Sequence, residues 1–111
     1  MKPTAAHSFP GAEVVVWTLS DTLLELEVSD VLFEGKSRGH AKMTFPLVRR
    51  ATAMSYHVAN GWIEETTVEC LKDLREFHFK AEEHYSLKGF GVDSGKLLAV
   101  GILSNDAEIV W

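Results

Sequence analysis

Along most of this chain apolar and polar residues alternate with the period of two that sets neighbouring side chains on opposite faces of an extended strand. Val14-Val15-Val16-Trp17-Thr18-Leu19 is β-branched and aromatic and ends at the turn pair Ser20-Asp21, which predicts a first strand covered on both faces. Leu24, Leu26 and Val28 then alternate with Glu25, Glu27 and Ser29, the pattern of a half-buried strand. The next apolar pair, Val31 and Phe33, falls on the opposite parity, so unbroken pairing would turn one set to solvent. A β-bulge near Ser29-Asp30 is expected to restore the register. Gly35-Lys36-Ser37-Arg38-Gly39 reads as the closing hairpin, and Ala41, Met43 and Phe45 alternate with His40, Lys42 and Thr44 up to Pro46.

Two later segments carry both periods. Leu47, Ala51, Met54 and Val58 lie at helical spacing after Pro46, with Gly61 placed like a helix C-terminal glycine. Asn60-Gly61, between Tyr56 and Trp62, is nevertheless the strongest hairpin signal in the chain, and the β-branched and aromatic content of 47–60 favours strands. In 67–88, Thr66 and Glu69 match a capping box ahead of the stripe Cys70, Leu71, Leu74, Phe77, Ala81 and Tyr85, which predicts a helix starting near residue 67. Phe77, Phe79, Ala81, Tyr85 and Leu87 also share one parity, so the segment is expected to pass from helix to strand after Leu74. Gly89 to Gly95 reads as a loop, Leu97 to Leu103 as a central strand in which Gly101 allows a close approach, and Ile109-Val110-Trp111 as a final strand. The expected fold is mainly β: a curved antiparallel sheet forming a sandwich or open barrel of about six to eight strands with one helix, or α+β if that helix is long. Residues 1–11, with Pro3, Pro10 and no periodicity, read as an arm ordered through Phe9, ahead of a single domain over 12–111.

Composition narrows the function. With 111 residues, 46% of them apolar, the chain has material for one core and little to spare. The net charge is −5 and the longest basic run is Arg49-Arg50, so a nucleic-acid partner is not expected, and Lys36, Arg38 and Lys42 with those arginines read as a solvated face. Cys70 is the only cysteine, which excludes an internal disulfide, points to the cytoplasm and suits a place in the apolar stripe. No apolar run approaches the roughly 18 residues of a membrane span, and the first residues lack the apolar segment of a signal peptide, so no membrane association is expected.

Candidate chemistry is sparse. The loop from Gly89 to Gly95 departs from phosphate-binding spacings, since Phe90 stands where a Walker loop needs glycine and Leu97 where it needs a hydroxyl. His78, Glu82 and His84 are residue types suited to a metal or to proton transfer, but on a strand His78 and His84 would be roughly 20 Å apart, so they read as a polar row. No cofactor is expected, and an enzyme built on His78 and Glu82 ranks third. Asp21, Asp30, Glu64 and Glu65 read as turn and surface residues. The preferred expectation is a non-enzymatic interaction module, a homodimer or a protein that docks on another protein, using Trp62 beside its turn and the apolar edge Ile109, Val110 and Trp111. The alternative is a small-molecule binder with an apolar cavity lined by Trp17, Phe33, Met43, Phe45, Tyr56 and Phe79.

Overall fold

The computed structural model describes residues 1–81 and 83–111, and every regular element among them is a strand. In chain order these are β1 (His7–Ser8), β2 (Ala12–Leu19), β3 (Leu23–Phe33), β4 (Lys36–Pro46), β5 (Thr52–His57), β6 (Gly61–Glu65), β7 (Asp73–Leu74), β8 (Glu76–Ala81), β9 (His84–Phe90), β10 (Leu97–Leu103) and β11 (Glu108–Val110). They form two antiparallel sheets, ordered β11-β4-β3-β2-β7 and β6-β5-β10-β9-β8, with β1 pairing to β3 beyond the end of β2. The described residues form eleven strands, more than the six to eight expected, in part because β1 and β7 are two-residue pieces too short to leave a periodic trace. The inward parity of each long strand fills the space between the layers, with Leu24, Leu26, Met43 and Phe45 from one side against Tyr85, Leu87 and Val100 from the other.

The bulge falls where the alternation demands it. Val28 pairs with Ala41 but Val31 with Gly39, so β3 holds one extra residue at Ser29-Asp30, and β4 restores the count at Arg38 before Leu32 pairs with Ser37. Asp30 locks the distortion by accepting hydrogen bonds from the Ser37 hydroxyl at 2.8 Å and the Gly39 amide at 3.1 Å. The hairpin therefore closes at Glu34-Gly35, whose positive φ angles of 53° and 79° fit a two-residue type I′ turn, and not over the longer stretch Gly35 to Gly39. The second hairpin is also real: Asn60 donates to the His57 carbonyl at 3.2 Å and Gly61 has φ of +71°, a type I turn followed by a bulge.

The helix expected from residue 67 is absent, and 70–75 instead turns a corner between the sheets. On one side the carbonyls of Lys72 and Leu74 accept from Val14 and Gly11, at 2.9 and 3.0 Å; on the other the amides of Lys72 and Arg75 donate to Phe90 and Lys88, at 2.8 and 2.7 Å. A helix would satisfy these groups locally; here two sheets satisfy them, while Leu71 and Leu74, spaced three apart, both reach the core. Asp73 is buried at the bend, its carboxylate accepting from the Phe90 amide and the Arg75 guanidinium, each at 2.9 Å.

The first eleven residues are packed against the body. Phe9 is buried, and buried His7 uses Nδ1 to accept from the Thr4 amide at 3.0 Å, its pKa held below the ordinary value by burial. Met1 accepts from the Ile109 amide at 2.7 Å and donates to the Ile109 carbonyl at 3.2 Å, which covers the outward main-chain groups of β11 at its centre.

Candidate functional site

The two sheets present different outer faces. On the first, outward parity places Glu25 beside Lys42 at 3.3 Å and Glu27 beside His40 at 2.7 Å, with Val16 and Val110 set apart on β2 and β11. On the second, outward parity places Met54 and Tyr56 from β5, Trp62 from β6, Phe90 from β9 and Leu97 and Ala99 from β10 on one surface. Tyr56 and Trp62 form a cross-strand pair with ring centroids 5.4 Å apart, edge to face. They remain 45% and 37% exposed, and neighbouring Met54 40%. The Lys88 ammonium lies 5.3 Å from the Trp62 ring and the Arg75 guanidinium 5.2 Å from Phe90. Trp62, Arg75, Glu76, Lys88, Phe90 and Leu97 border a groove of about 320 Å³.

The residues expected to line an apolar cavity are dispersed. Met43 and Phe45 sit in the core, Trp17 packs on it from β2, and Phe79 lies on the inward parity of β8, 5.5 Å from Tyr85. Phe33 stacks 4.8 Å from His7 and 5.8 Å from Trp111 at the far end of the first sheet, with Arg38 over both Phe33 and Trp111. Tyr56 alone of the six joins the exposed surface, where it meets Trp62 from the expected interface. Of the other interface residues, Ile109 is buried while Val110 and Trp111 are exposed on the first sheet's side. Met54, Phe90, Leu97, Arg75 and Lys88 complete the aromatic surface without having been singled out. The pairing set by Asn60-Gly61 gives Met54 and Tyr56 one parity, but nothing local tells which parity faces out.

Reactive chemistry finds little support among the described residues. His78 bonds Glu76 at 3.1 Å, Glu82 lies outside the described residues, and no group of three or more His, Cys, Asp or Glu side chains is arranged to hold a metal. Ser55 on β5 donates to Glu65 at 2.6 Å and stands 2.9 Å from His57 Nε2. This is an acid, a hydroxyl and an imidazole in the wrong order, because the carboxylate takes the serine proton and the serine is fully buried. Burial, reinforced by Asp93 and Glu69, pushes the Cys70 thiol above its ordinary pKa, so it is not an activated nucleophile.

The glycine-containing loop between β9 and β10 already holds an anion of its own. Glu69 accepts from the amides of Asp93 at 2.9 Å and Ser94 at 3.0 Å, and its other oxygen accepts from the Ser94 hydroxyl. The residue read as a helix cap thus caps a loop. The Ser94 hydroxyl, with the two amides and Lys96, holds the Glu69 carboxyl below the usual value of 4.5. The native group therefore contributes stability that is complete above that value and lost as pH falls through the lower, native titration. Glu69→Gln is expected to unfold at lower urea than the parent near pH 7, with the gap narrowing as pH falls below 4.5; a gap that stays constant across that range would contradict this role for the charge.

Compared with protein-family models, curated proteins and solved structures, the chain has no match in any of the three.

Proposed function

We propose that this domain is a non-enzymatic interaction module that pairs with a second copy of itself through the outer face of the second sheet. The observation carrying this reading is the exposed cluster of Trp62, Tyr56 and Met54, set against the charge-paired outer face of the first sheet. Across the cluster runs the row Glu64, Met54, Ala99, Lys88, Glu76, with carboxylates at both ends and an ammonium inside one of them. Two copies related by a two-fold axis place Glu64 of each toward Lys88 of the other, so the surface is complementary to itself. Self-pairing also covers the aromatic rings without using the β11 edge, whose centre Met1 occupies.

Sedimentation equilibrium is expected to show a dimer at about 100 µM, and Trp62→Ala combined with Met54→Glu to weaken it by a factor of about ten or more. A parent protein that stays monomeric at that concentration would overturn the reading.

A further inference from the structure

On the same face, beyond Met54 and Ala99, Thr52, Gly101 and Ser86 form one cross-strand row on β5, β10 and β9. A glycine between two hydroxyl residues leaves a depression of about 230 Å³, which Arg49, Lys80 and His84 also border. Its size is set from below, since a β-carbon on Gly101 would stand 2.7 Å from the Thr52 hydroxyl. Among the described residues no carboxylate lines the depression, although the chain carries a net charge of −5. Of the described carboxylates on the outward parity of this face, Glu76 binds Lys88 at 3.2 Å and His78 at 3.1 Å, and Glu64 stands on β6 opposite Met54. Ser86 is only 4% exposed and lines the depression beside Gly101.

We infer that this cup binds a tetrahedral oxyanion, phosphate or sulfate, free or as the end group of an ester. The Arg49 guanidinium supplies a planar pair of donors, Lys80 a point charge, and the Ser86 and Thr52 hydroxyls donate from the floor. The absent side chain at Gly101 lets the anion approach the sheet. An ester would lay its organic part on Met54 and Ala99 in the next row. Met54 and Ala99 are shared with the self-pairing face, but Trp62 and Tyr56 take no part in the cup, so binding of the anion itself does not depend on self-pairing.

The test is a ¹⁵N-resolved NMR titration with sodium phosphate, against sodium chloride at matched ionic strength. Saturating shifts are expected at the amides of Thr52, Ser86 and Gly101, with a dissociation constant of about 1 mM. Ser86→Ala and Arg49→Gln should each weaken binding about five- to tenfold, while Lys42→Gln on the first sheet, with the same change of charge as Arg49→Gln, should change it less than about twofold. The dispersed spectrum of each variant serves as the control for folding. Phenyl phosphate distinguishes the two sources: tighter binding than inorganic phosphate assigns an ester, and equal binding assigns the free ion. Trp62→Ala should leave the shifts in place even where it abolishes the dimer. Shifts that grow linearly and equally with chloride, or that survive both cup substitutions, would overturn the site.

Discussion

Replacing Gly89 by alanine is expected to destabilise the domain by about 3 kcal/mol or more, placing it among the severest single substitutions available. A β-carbon at this position would overlap the main-chain oxygen of Asp73, which belongs to the strand turning the corner between the sheets. Main chain held by hydrogen bonds on both sides cannot step aside as a flexible side chain does. Moving it would also disturb the bonds by which the Asp73 carboxylate holds Phe90 and Arg75. Gly11 offers the contrast, with nothing near its missing side chain and a φ of +74°, so alanine there should cost only about 1 kcal/mol through backbone strain. Urea denaturation of both variants checks the order. Equal losses would mean that the corner is looser than described.

Phe45→Ala should cost about 3 to 5 kcal/mol. Phe45 is wholly inaccessible on β4 and meets the Tyr85 ring of β9 edge to face at 5.4 Å, so it ties one layer to the other. Truncation removes that contact and leaves a void that neighbours on two hydrogen-bonded sheets cannot collapse to fill. The same measurement separates two roles for this residue. A ring lining a ligand cavity would have open space on one side and lose less on truncation, so a loss below about 1 kcal/mol would favour the cavity.

Much of the strand framework was legible because its causes are local. The change of parity between Val28 and Val31 required a bulge, and Asp30 supplies it; Asn60-Gly61 required a turn, and β5 and β6 form on either side of it. The stretch from Thr66 to Leu74 misled for an equally physical reason. Apolar residues three apart satisfy a helix face and also a strand that bends between two sheets, and Glu69 can accept amides from a helix or from a distant loop. The short strands β1 and β7 escaped notice because each owes its existence to a partner far along the chain, whereas β11 forms within one residue of the expected final strand.

By itself, then, the order of residues determined strand character, the place of the register change, the second hairpin and the lack of any phosphate-loop spacing, all consequences of side-chain alternation and turn chemistry within a few residues. Only the tertiary structure decided that 70–75 joins the sheets, that Tyr56 and Trp62 share an outward face with Phe90 and Leu97, and that Arg49, Lys80 and His84 surround Ser86. Alternation says that neighbours point to opposite sides. Which side meets the second layer depends on strand order, and strand order is settled by hydrogen bonds and buried contacts between residues remote in the chain.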